Sequence, residues 1–145
     1  MNPKKIYKKL VKLYPEYEFE FKQRDKDQAT ISTYISSEEH FDNDVSLDID
    51  VFKSKQTVFM SFLFDKINPT FEALQLINNY NANQPHSKAY IEEMRSGDNY
   101  LNITYLFTSL KSTKLALYNI IGAIYDLTLD TTLEDLQPLI NLTYN

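Results

Sequence analysis

Only two histidines, His40 and His86, and no cysteine are available for chemistry in this chain of 145 residues. Thiolate nucleophiles, disulfides and thiolate metal sites are therefore excluded, and a zinc site would have to gather ligands from distant parts of the sequence. His40, Asp42 and Asp44 form the one run whose spacing could bring three ligands to a loop, although such a run is more often simply solvated. Asp42, Asp44, Ser46 and Asp48 have the alternating oxygens of a calcium loop. Leu47, however, stands where the tight turn needs glycine, and Lys53 stands where the bidentate glutamate belongs. No metal or cofactor is expected. Two glycines, Gly97 and Gly122, leave no room for a nucleophile elbow or a phosphate-binding loop. Glu92 and Glu93 are neighbours on a strand and so point to opposite faces, which rules them out as a paired acid and base. The chain reads as non-enzymatic.

The formal net charge is -5, and its distribution says more than its sum. Lys4, Lys5, Lys8, Lys9 and Lys12 crowd the first segment. No Lys or Arg follows Lys114, whereas Asp126, Asp130, Glu134 and Asp135 do. A phosphate backbone would be repelled by most of such a surface, so no nucleic-acid partner is expected. The eleven Tyr and nine Phe could stack on bases, but the charge has the wrong sign and most are read as core. The lysine-rich start lacks the apolar run of a leader, and no stretch is long and apolar enough to span a bilayer. The expectation is a cytoplasmic protein without a membrane span.

Hydrophobic periodicity shows which elements must position these side chains. Ile6, Tyr7, Leu10, Val11, Leu13 and Tyr14 share one arc of a helical projection and the five lysines share the other, which predicts an amphipathic helix from Pro3 to Tyr14. Pro3 suits a first turn and Pro15 a stop. Lysines opposite an apolar stripe also suit a membrane surface or an acidic partner. The simpler reading is a helix packed on the sheet with its lysines in water.

Tyr17, Phe19 and Phe21 alternate with Glu18, Glu20 and Lys22, and a second strand follows from Ala29 to Ile35. Val45, Leu47, Ile49 and Val51 then alternate with Asp44, Ser46, Asp48 and Asp50, the signature of a strand with one wet face. The segment Thr57 to Phe64 has almost no polar side, which predicts cover on both faces. Asn68 and Pro69 read as cap and first residue of a helix to about Ala82, with Phe71, Leu74, Leu76, Ile77 and Tyr80 as its apolar face. A hairpin of Lys88 to Met94 and Tyr100 to Phe107 turns at Ser96-Gly97-Asp98-Asn99.

From about Thr113 to Leu127 a helix is apolar around nearly its whole circumference, which predicts burial from two sides, with Gly122 allowing close packing. Thr132 to Asp135 resembles a capping box that starts a last helix, which Pro138 interrupts or restarts. The order is α-β-β-β-β-α-β-β-α(-α) without βαβ alternation or repeats. That predicts a single α+β domain over residues 1–145, an antiparallel sheet of about five to six strands packed by helices.

From Lys66-Ile67-Asn68-Pro69 to Leu106 the chain resembles the YbjN family of bacterial sensory-transduction regulator-like proteins. The similar pieces are the helix ending in Ile77-Asn78-Asn79-Tyr80-Asn81, the strand Ser87-Lys88-Ala89-Tyr90-Ile91-Glu92 and the strand from Tyr100 to Leu106. The residues before Thr57 show no such match. The resemblance implies a type III secretion chaperone-like fold, often assembled as a homodimer. Its motifs are packing patterns and carry no catalytic residue.

Two segments thus hold more apolar surface than one sheet and its helices should hide, which predicts a protein-binding module, homodimeric, using Phe59, Leu63 or the helix face of Tyr118, Ile121 and Tyr125. The alternative is a small acidic, immunity-like or phage-encoded inhibitor that docks Asp42, Asp44, Asp48 and Asp50 against a basic site.

Overall fold

The computed structural model describes residues 1–36, 44–128 and 130–144, with backbone alone for 130–133. Helix α1 (Pro3–Leu13) leads into strands β1 (Glu20–Gln23), β2 (Gln28–Ile35), β3 (Val45–Phe52) and β4 (Thr57–Ile67). Helix α2 (Phe71–Asn83), the hairpin β5 (Ser87–Glu93) and β6 (Asn99–Phe107), helices α3 (Thr113–Thr128) and α4 (Asp130–Ile140), and a two-residue β7 (Thr143–Tyr144) complete it. The sheet has seven strands in the order β1-β2-β3-β4-β6-β5, with β7 pairing the far end of β4. Every pairing is antiparallel. The α+β class and the element order agree with the sequence pattern, and β7 is added to it.

Register decides which residues share a face, because side chains alternate along each strand. One row runs Ile31, Ile49, Met60, Tyr105 and Ser87 across five strands, and the next runs Thr33, Leu47, Phe62, Ile103 and Ala89. All ten are buried. The helices pack on this same side. Tyr7 of α1 meets Phe21 with ring centroids 5.5 Å apart, the Tyr80 hydroxyl of α2 lies 2.8 Å from Ser87 Oγ, α3 rests on β6, and α4 on α2 and α3. The result is two layers with one core between them.

Local chemistry accounts for the element ends. Asn2 caps α1 by accepting the Lys5 N–H, with Pro3 in the first turn. The α2 cap is Thr70 rather than Asn68: the Thr70 side chain accepts the Ala73 N–H, while Asn68 Oδ1 accepts the Tyr144 hydroxyl at 3.2 Å. Of the apolar face expected for α2, Ile77 and Tyr80 are buried along with Ala73, but Phe71 and Leu74 are exposed. Gly97 has a φ of +87° in the β5–β6 turn, a conformation open to glycine without strain. Gly122 needs no such account, since a side chain there would meet nothing within 4 Å; the close packing expected of it is absent.

The first strand begins later than the alternation suggests. Tyr17 stacks on Tyr14 and meets Phe19 edge-on, and pairing starts only at Glu20, opposite Ser32. Pro138 lies inside α4 without breaking it, which leaves the Glu134 carbonyl without its intrahelical N–H partner. The capping box read at Thr132 rests on side chains outside those described, and the helix already begins at Asp130. No described helix is long and apolar enough to cross a membrane.

Candidate functional site

The second face of the sheet is covered by no helix among the described residues. Across it run three rows: Lys22, Thr30, Asp50, Phe59 and Leu106; Glu20, Ser32, Asp48, Ser61, Thr104 and Lys88; and Tyr34, Ser46, Leu63, Asn102 and Tyr90. On β4 and β6 it carries one apolar pair, Phe59 with Leu106, and a second apolar position at Leu63 opposite Asn102, with Ser61 and Thr104 between them. Phe59 and Leu63 are half-buried by their strand neighbours, and Leu106 is 59% exposed. β4 is therefore buried on one face only, with Val58, Met60, Phe62 and Phe64 inside, and among the described residues nothing supplies cover on its second face.

Hydrogen bonds stiffen this face. Asn102, 2% exposed, donates from Nδ2 to Tyr90 Oη at 3.0 Å and to Glu92 Oε2 at 2.8 Å, and its Oδ1 accepts from Ser61 Oγ at 2.9 Å. A buried amide with each of these positions filled adds rigidity without a desolvation penalty. Asp50 accepts from Thr30 Oγ1 at 2.7 Å, Thr30 accepts from Arg24 Nε at 3.1 Å, and Asp48 accepts from Ser32 Oγ at 2.7 Å.

Toward β1 the face turns acidic. Glu16, Glu18, Glu20, Asp44 and Asp48 line a trough of about 470 Å³ with Tyr34 on its wall. Of the acidic residues singled out in the sequence, Asp44 and Asp48 thus lie in the trough, Asp50 stands beside Phe59, and Asp42 falls outside the described residues. His40 also falls outside them, and His86 is exposed. Among the described residues, no three His, Asp or Glu side chains are grouped as metal ligands.

The α3 candidates lie on the other side of the molecule. Helix α3 buries Ala116, Ile120, Ala123, Ile124 and Leu127, while Tyr118 and Tyr125 are 77% and 60% exposed. One face is buried, not two. Tyr118 and Ile121 join Lys5, Lys8, Lys9 and Lys12 of α1 along a groove of about 820 Å³, and Tyr125 lies beyond it. Phe59 and Leu63 are therefore not brought together with Tyr118, Ile121 and Tyr125; the two sets mark separate surfaces. Leu106 escaped the sequence reading even though its alternation with Ile103 and Tyr105 assigns it to the outer face.

Over this whole architecture the chain superposes on the crystal structure of YbjN, a candidate transcription regulator from E. coli. The TM-score is 0.64, covering 100% of this chain and 97% of that one, at 11% sequence identity. The chain has a YbjN-like fold. The likeness extends to the lysine-rich α1 and to the strands before Thr57, where the sequence alone offered no match. No family model and no curated protein matches the chain by sequence. Shared architecture at this identity carries no side-chain chemistry across, so the YbjN-like scaffold positions the two surfaces and their chemistry is read from the residues themselves.

Proposed function

We propose that the protein is a non-enzymatic, regulator-like protein-binding module that works as a homodimer closed through its uncovered sheet face. The observation that supports this reading is the apolar pair on that uncovered face, with Phe59 directly opposite Leu106, on a sheet about 24 Å wide at about 4.8 Å per strand. Apolar side chains left on a sheet face that no described helix covers suit association with a second copy.

Charge selects the arrangement of the second copy. A two-fold axis parallel to the strands, running over the β4–β6 boundary, sets β3 of one copy over β5 of the other, Phe59 on Leu106 and Asp48 near Lys88. An axis perpendicular to the strands and over the Asp48 row would instead set Asp48 on Asp48, which repels. Lys88 Nζ donates to the Asn81 and Gln84 carbonyls at the end of α2 at 3.0 and 3.2 Å, around the β5 edge, and would turn from them to meet the partner copy's aspartate. The contact is isologous and closed, as in most homodimers. A regulator-like role agrees with what is said of YbjN, and a net charge of -5 favours protein over nucleic-acid partners.

Sedimentation velocity of Asp48→Lys, alone and combined with Lys88→Asp, tests the pairing: the single variant weakens the dimer and the double variant restores it. A dimer equally strong in all three proteins would dismiss this arrangement.

The acidic trough supports a second reading, an inhibitor that captures a basic partner site. In the proposed dimer β1 and β2 lie outside the contact, so the Glu16, Glu18, Glu20 and Tyr34 side of the trough stays open while its Asp48 side meets the second copy. Reversing Asp44 and Asp48 together should then abolish capture of a basic partner protein, and unchanged capture would remove the reading.

A further inference from the structure

We infer that the groove between α1 and α3 receives an acidic amphipathic helix of a partner protein. This deepens the protein-binding reading by naming the partner's recognition element, and it lies on the helical side of the molecule, away from the sheet face, so the two can fail separately.

The groove has an apolar floor and a basic rim. Leu117 and Ile121 are half-buried in it and Tyr118 is 77% exposed, while Lys5, Lys8, Lys9, Lys12 and Lys114 stand around them and no carboxylate lines the space. In a chain of net charge -5, five positive charges in one groove are a strong local inversion. None of the five makes a side-chain hydrogen bond or ion pair among the described residues. Lys4, by contrast, is occupied, with its Nζ 4.5 Å from the centre of the Phe21 ring. Holding like charges together costs energy that an anionic partner would recover.

Shape selects a helix. The two helices start side by side, with the Asn2 N–H donating to Thr113 Oγ1 at 2.9 Å, and the lysines recur at helical spacing from Lys5 to Lys12. That spacing makes the groove about 10 Å long at about 1.5 Å per residue. Apolar anchors one turn apart would reach the floor, with acidic residues on either flank meeting the lysines. A flat bilayer would meet the rim lysines but not the recessed floor.

The test uses a fluorescent synthetic peptide of about 14 residues, or about four turns, with leucines one turn apart and glutamates flanking them. Fluorescence anisotropy should show saturable binding to the wild-type protein, one peptide per chain, weakening as salt is raised. Affinity should fall by at least about tenfold in Lys5→Glu/Lys9→Glu and in Tyr118→Asp, all at exposed positions, and should be unchanged in Phe59→Asp. A scrambled peptide of the same composition should bind poorly. Equal binding of the scrambled peptide, no saturable binding, or indifference to both sets of variants would overturn the assignment. So would cosedimentation with phosphatidylserine vesicles by a protein that ignores the peptide.

Discussion

Phe59 and Leu106 are cross-strand partners on β4 and β6, on the side of the sheet away from α1, α2, α3 and α4. Their one-residue neighbours Met60 and Tyr105, also paired, lie in the core. Replacing Phe59 or Leu106 with Ser should therefore cost the protomer about 1 kcal/mol or less, the value of a cross-strand pair. Phe62→Ala, in the core row, should cost about 3–5 kcal/mol. Urea unfolding of the three variants under conditions that keep the protein monomeric measures both, and similar losses at the two faces would contradict the layer assignment.

Tyr80 and Ser87 join α2 to β5 by a buried hydroxyl pair at 2.8 Å. Tyr80→Phe keeps the ring and removes this contact, which should cost about 1 kcal/mol. A midpoint of urea unfolding equal to that of the wild type would show that the pair contributes nothing to α2 docking.

Asn81 acts as a surrogate strand for the β5 edge. Its Nδ2 donates to the Ala89 carbonyl at 3.0 Å and its Oδ1 accepts the Ala89 N–H at 2.7 Å. Blocking one residue of an edge strand in this way hinders sheet-to-sheet pairing. Asn81→Ala should lower stability by about 1–3 kcal/mol and speed amide exchange at Ala89. Exchange no faster than in the wild type would mean that other contacts protect the edge.

The Asp27 carboxyl is held below its ordinary pKa of 3.8 chiefly by hydrogen bonding from Ser54, side chain and backbone, with help from Lys55 and Lys53. A depressed folded-state pKa stabilises the fold above the unfolded value, and that contribution is lost as pH falls through the folded value. The window is thus below about pH 4. Thermal melts of Asp27→Asn should fall less steeply with acidification there than those of the wild type. A parallel acid limb would sink the assignment.

Much of this fold was legible because the patterns were local. The alternation of Val45 to Val51 against Asp44 to Asp50 marked β3, the Lys-rich arc marked α1, and Gly97 marked the β5–β6 turn. Strand neighbours were not legible. Nothing near Phe59 in sequence says that β6 lies beside β4, because the connection through α2 and β5 intervenes, so Leu106 was missed as its partner. The circumferential apolarity of α3 suggested two-sided burial, but exposure depends on what packs against a helix, and α1 leaves a groove over Leu117 and Ile121 instead of a seal. The Asn68-Pro69 signal lost to Thr70 because Asn68 is held by Tyr144, a contact 76 residues away in sequence.

Whether Phe59 and Leu106 are covered by a second copy in solution is tested most directly by sedimentation velocity at micromolar concentration. The prediction is a dimer for the wild type and for Tyr118→Asp, and a folded monomer for Phe59→Asp combined with Leu106→Asp. A wild type that sediments as a monomer, or a double variant that remains dimeric, would contradict it.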